Sequence, residues 1–139
     1  MQQFSIAAIG TRWSNLAGYL HALLRIVAAL MFALVGSAKL FAFPFALGPG
    51  GHVPYFSELG LAGALELLGG ILLLLGLYTR PVAFILSGEM AVAYFQAHFS
   101  KGFWPMANGG LPAVLYCFLW LYFSAAGAGA WSLDSRRGK

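Results

Sequence analysis

Charge is what this sequence has least of. Only 9% of its 139 residues are Asp, Glu, Lys or Arg, against ~25% in an ordinary soluble domain. Hydrophobic residues make up 60% and the mean hydropathy is +0.79. Too little polar surface remains to cover a water-facing globule, so a soluble enzyme is excluded, and disorder fails on the same numbers. Cysteine is nearly absent. A single Cys117 rules out an internal disulfide, a CxxC redox pair and a cysteine-held zinc or iron–sulfur centre; within its apolar run it reads as a small buried thiol. The 18 glycines follow no collagen-like period. No GxGxxG, P-loop, HExxH or nucleophile elbow occurs. The net charge of +4 does not indicate nucleic acid, because the basic residues are dispersed singly except for Arg136, Arg137 and Lys139 at the tail. What remains is an integral membrane protein.

Crossing the hydrocarbon takes ~20 apolar residues, and four segments meet the requirement: residues 19–40, 59–77, 81–98 and 110–130. The predicted fold is therefore all-α, a transmembrane four-helix bundle. Residues 1–18 precede it as an interfacial segment with Ile9, Trp13 and Leu16 at helical spacing, and residues 131–139 follow as a basic tail. A cleaved signal peptide is the less favoured reading of the first span, which is long for one and contains Arg25. Prolines and glycines between Phe43 and Tyr55 forbid a long helix there. The short turn at Tyr78-Thr-Arg-Pro81 makes the second and third spans an antiparallel hairpin. Arg12, Arg80, Arg136, Arg137 and Lys139 fall on one side, with Lys101 opposite and Lys39 at the boundary. Both termini are expected in the cytoplasm, and the location is the cell inner membrane.

An ionisable residue inside a span is costly and marks a functional hypothesis by default. The polar-core candidates are Arg25, Glu66, Glu89 and Gln96. Arg25 shares a helical face with Ala29, Ala33 and Gly36, and Glu66 shares one with Ala62, Gly63, Gly69 and Gly70. Small residues mark the face where a neighbouring helix approaches closely, so these charges are expected to point into the bundle. Matching depths predict an Arg25–Glu89 pair, whereas Glu66 enters from the other side and lies nearer Lys39. Lys39, His52 and His98 are the candidate outer-side polar residues. Two readings of the buried charges stay open: mutual neutralisation that sets helix register, and a proton path or polar pocket for a small redox molecule. His52, Glu58 and His98 match no recognised metal signature, so no metal is assigned. His21 and His98 lie at opposite depths, which argues against a bis-histidine haem. The stripe of Tyr116, Trp120 and Phe123 reads as packing more readily than as a wall for stacking a quinone.

Leu24-Arg25 followed by Phe32-Ala-Leu-Val-Gly-Ser-Ala-Lys-Leu40, the run from Glu66-Leu-Leu-Gly-Gly to Tyr78-Thr-Arg80, and the closing Gly127-Ala-Gly-Ala-Trp-Ser-Leu-Asp134 together resemble the DoxX family of small membrane proteins. The resemblance runs from about Leu24 to Asp134. It implies a four-helix inner-membrane protein that serves as an accessory subunit of a quinone-linked redox system, with a quinone as candidate cofactor. The lipid bilayer, a redox protein and a second copy of the chain are the candidate partners. Thiol-handling branches of such proteins are expected to carry paired cysteines, and this chain departs from that pattern. The alternatives are a small transporter or proton/anion relay, and a structural assembly factor.

Overall fold

The computed structural model describes residue 10, residues 13–47 and residues 50–138. The helical spacing of Ile9, the basic Arg12 and the terminal Lys139 belong to expectations that lie outside the described residues. Among those described there are helices and no strands. Helix α1 spans Ala17–Phe41, α2 Glu58–Leu75 and α3 Thr79–Ala93. The chain of α3 continues through a π turn, Tyr94–His98, and a 3-10 turn, Phe99–Lys101. A short α4, Pro105–Asn108, leads into α5, Leu111–Ala126, and α6 closes the chain at Leu133–Arg137. Two of these, α1 and α2, are each long and apolar enough to cross a membrane; α5 is apolar but shorter.

The helix boundaries have local causes. Ser57 caps α2 by accepting from the Gly60 amide at 3.1 Å, which satisfies one of the four amides a helix start leaves unpaired. Gly76 ends the same helix in the left-handed conformation (φ 64°), its amide turned back on the Leu72 and Leu73 carbonyls. Pro81 and Pro112 sit in the first turns of α3 and α5, where a missing N–H costs nothing. The helix in the fourth apolar segment, expected to run to residue 130, ends four residues earlier, at Ala126. Gly127 (φ 84°) and Gly129 (φ 70°) turn the chain out of the helix after Ala126.

Helix α1 packs along α2, and α3 along α5, with α2 and α3 in lighter contact. The first pair meets at backbone distance. A Cβ placed on Gly36 would lie 2.6 Å from the Gly63 carbonyl oxygen, and one on Gly70 would lie 2.8 Å from the Ala33 Cβ. Aromatic rings fill the wider gap between α1 and α5: Phe32 lies against Tyr116 (5.0 Å between centroids) and Trp120 (5.4 Å). Trp120 and Phe123 are fully buried in this core, so the aromatic stripe of α5 is packing. The outward faces are apolar as well. Leu23, Val27, Leu61, Leu68, Phe84, Ile85, Leu115 and Phe118 are all exposed, a surface that water does not suit.

Candidate functional site

The ionisable residues within the helices separate into two clusters, one at each end of the molecule. At the first end stands Arg25, fully buried on α1. Its guanidinium spends all five of its N–H donors on backbone carbonyls. Nε donates to Ala128 O at 2.8 Å, Nη1 to Leu73 O (2.6 Å) and Leu74 O (2.9 Å), and Nη2 to Ala130 O (3.2 Å) and Trp131 O (2.9 Å). Two of these carbonyls belong to the last turn of α2, whose dipole favours a cation; the other three belong to the segment after α5. Arg25 therefore ties three parts of the chain together.

The predicted Arg25–Glu89 pair does not form. The depth argument is undone by helix length: α2 ends at Leu75 and α5 at Ala126, so freed carbonyls lie at the level of Arg25 and take its donors first.

The segment after α5 carries further ties that sequence reasoning missed. The Asp134 carboxylate accepts from the Tyr78 amide at 2.9 Å through Oδ1 and from the Thr79 amide at 2.9 Å through Oδ2. It thus caps α3 from a distant part of the chain, in place of Tyr78, which is left-handed (φ 50°) and makes no side-chain cap. Burial works to raise the Asp134 carboxyl, but the Thr79 and Tyr78 amides and the nearby Arg137 charge outweigh it and hold its pKa below the ordinary carboxylate value. His21 lies 3.0 Å from both Gly127 O and the Tyr122 hydroxyl. A carbonyl can only accept, so Nε2 carries the proton toward Gly127 and Nδ1 accepts from Tyr122. Arg80 donates to Ala125 O at 2.5 Å. The available signal was the closing run of glycines and Ser132, which turns backbone carbonyls away from any helical partner.

At the other end Lys39 of α1 reaches Glu66 of α2, with Nζ 2.6 Å from Oε1. The Glu66 side chain is 3% exposed and that of Lys39 17%, so the pair is graded from core to surface. Oε2 of Glu66 is buried with no hydrogen-bond partner. Across from it on α3, both carboxylate oxygens of Glu89 are buried and equally without a partner, within electrostatic reach of Glu66 and Lys39. Lys39 thus meets Glu66 directly and Glu89 only at longer range.

Gln96, expected to extend this polar face, is exposed. The π turn over Tyr94–His98 shifts the register of the faces beyond Ala93, and Tyr94 takes the buried position instead. His98 sits apart, with Nδ1 3.2 Å from the Asn108 carbonyl. His52 stacks on Tyr55 at 5.0 Å and lines a cavity of about 220 Å³ with Lys39, Gly51, Val53 and Leu59. Among the described residues no group of three or more metal-ligating side chains is assembled.

Arg25, Lys39, Glu66 and Glu89 all lie within the part of the chain, residues 20–99, that matches the DoxX family. The chain belongs to the DoxX family. It is 51% identical over 121 residues to an uncharacterized protein of Haemophilus influenzae, covering 85% of this chain and 90% of that protein. It is 31% identical over 133 residues to an uncharacterized membrane protein of Mycobacterium tuberculosis, covering 84% and 80% respectively. No solved structure matches the chain. As a DoxX protein with a relative of that description, it is a membrane protein. The apolar outward faces of its helices are the surface that lipid covers.

Proposed function

We propose that this DoxX protein crosses the bacterial inner membrane four times, as a four-helix bundle with both termini in the cytoplasm. We further propose that Lys39, Glu66 and Glu89 form a proton-binding site in the outer half of the membrane. The orientation is supported by Arg80, Arg136 and Arg137, which lie at the Arg25 end, against Lys101 at the other. The functional reading is carried by one observation: both Glu89 carboxylate oxygens are buried and unpartnered beside a Glu66 whose charge Lys39 already meets.

An ionised carboxylate without a partner is expensive in an apolar interior, and two carboxylates near one ammonium leave a surplus negative charge. A proton on Glu89 removes that surplus and leaves a neutral acid with one O–H to donate. Taking up and giving back this proton is the chemistry the cluster supports, and it suits a proton-coupled transport or relay module. The reading as an accessory subunit of a quinone-linked redox system rests on family resemblance alone. The rings that would stack on a quinone, Tyr116 and Trp120, pack on Phe32 instead. The geometry therefore favours proton handling.

Infrared difference spectroscopy of the purified protein tests the reading. A carbonyl-stretch band of a protonated carboxylic acid is expected at neutral pH, lost on alkalinisation and lost in Glu89→Gln. Its absence, or its persistence unchanged in both Glu89→Gln and Glu66→Gln, would overturn the proposal.

A further inference from the structure

The two ends of the molecule differ in how far solvent can penetrate toward the carboxylates. At the Lys39 end, the cavity of about 220 Å³ is walled by Leu47, Gly50, Gly51, His52, Val53 and Leu59, with Lys39 among its lining residues. The same Lys39 ammonium is bonded to Glu66, and Glu89 lies in reach of both. One side chain thus links an open cavity to the buried acids. Exposure falls in the order expected of an entry route, from the loop through Lys39 at 17% to Glu66 at 3%.

The opposite direction is blocked. Between the acids and Arg25 lie Ala29, Phe32, Leu73, Leu86 and Trp120, all at 2% exposure or less, joined in one apolar core. Below them the Arg25 guanidinium, its donors all used, seals the ends of α2 and of the segment after α5. A larger groove of about 550 Å³ does open at that end, beside Arg80 and Pro81. It is walled by the start of α3 on one side and by the 126–129 segment with Ser132 on the other, and none of Ala29, Phe32, Leu73, Leu86 or Trp120 lines it.

We infer that the Glu66–Glu89 site exchanges its proton with the outer side only, through the cavity beside His52. The inference rests on the proton-binding reading above and adds its direction. In the loading step a hydronium ion gives its proton to a Glu89 carboxylate oxygen and leaves as water. The groups that face this route are Lys39 from α1, Glu66 from α2, Glu89 from α3 and His52 from the loop. Helix α5 contributes no charged residue; its Cys117 carbonyl accepts from Ser87 at 2.8 Å, and its Tyr116 ring stacks on Trp120. An approach that ends on the Lys39 ammonium on one side and a closely packed, largely apolar core on the other make the access one-sided.

The test uses the full chain in sealed membrane vesicles, right-side-out and inside-out, with pH raised in the external medium only. In right-side-out vesicles the Glu89 carboxylic-acid band is expected to disappear, while in inside-out vesicles it should persist as long as the pH gradient holds. A Val53→Trp variant, which fills the cavity without touching the acids, should slow the response in right-side-out vesicles and leave the band itself in place. A band that responds in inside-out vesicles, or equally in both, overturns the direction while leaving the proton site intact. A response unchanged by Val53→Trp overturns the route. A band absent from both preparations overturns the proton-binding reading itself.

Discussion

Arg25 and Glu89 show how differently two ionisable groups can be accommodated among packed helices. Arg25 has every donor answered by carbonyls of the chain, so its burial is structural. Glu89 has neither oxygen answered, so its burial is a cost that the fold does not recover through contacts. Removing the first should therefore destabilise far more than neutralising the second. Arg25→Ala leaves five carbonyls without their donor and is expected to lower stability by several kcal/mol, since each buried acceptor left unsatisfied costs about 1–3 kcal/mol. Arg25→Lys keeps the charge but offers three donors in place of a planar fork, so it should fall between the two. Glu89→Gln should leave the melting temperature in detergent unchanged or raise it. Because the two side chains do not meet, the Arg25→Ala and Glu89→Gln effects should add in the double mutant. A coupling energy above about 0.5 kcal/mol would show that the pair touches after all.

At the scale of elements, the start of α3 depends on a residue 55 positions away, since Asp134 caps the Thr79 amide. That dependence gives the helix a pH response with a definite sign. The Asp134 carboxyl is held below its ordinary value in the folded chain. Its contribution is therefore complete above the unfolded carboxyl pKa of about 3.9 and is lost as pH falls through the lower folded value. Once corrected for the intrinsic slowing of exchange in acid, protection of the Tyr78 and Thr79 amides should be high at neutral pH and fall on acidification through that window, an acceleration relative to the unprotected rate. In Asp134→Asn the acceleration should vanish, because the group no longer titrates. The long apolar helices α1 and α2 were legible because composition and length alone mark them, and the turn at Tyr78 because Pro81 follows it so closely. Their ends were less legible. Whether α5 stops at Ala126 or continues to Ala130 depends on left-handed glycines at 127 and 129, and a glycine in an apolar run signals close packing and termination alike. The outward turn of Gln96 depends on one π turn, which has no periodic signature. For the site, Glu66 near Lys39 followed from helix direction. The Arg25 contacts did not, because backbone carbonyls are acceptors in every sequence and compete unseen with a carboxylate.

For the whole molecule, the two ends have opposite characters, and that asymmetry bears on how the chain sits in the membrane. The Arg25 end gathers Arg80, Arg136 and Arg137 and is cross-tied by Asp134, His21 and Arg25. The Lys39 end carries Lys101, and exposed aromatic rings line both ends, Tyr55, Phe56, Phe103 and Trp104 here and Trp13, Tyr19, Tyr78 and Trp131 at the other. Basic residues are retained on the cytoplasmic side during insertion, so the tied end should face the cytoplasm, with the rings of both ends at headgroup depth. The geometry of α5 sharpens the point. At ~1.5 Å per residue its 16 residues span about 24 Å, short of the ~30 Å hydrocarbon thickness. For α5 to cross, as proposed, the turns around it would have to complete the span: Gly110 and α4 on one side, the Arg25-held segment on the other. Reporter fusions placed after Trp104 and after Lys139 should then report opposite compartments, the first outside and the second in the cytoplasm. Both fusions in one compartment would mean that α5 lies along an interface instead of crossing. Opposite compartments with the order reversed would place the cavity beside His52 on the cytoplasmic side, and with it the entrance to Glu66 and Glu89.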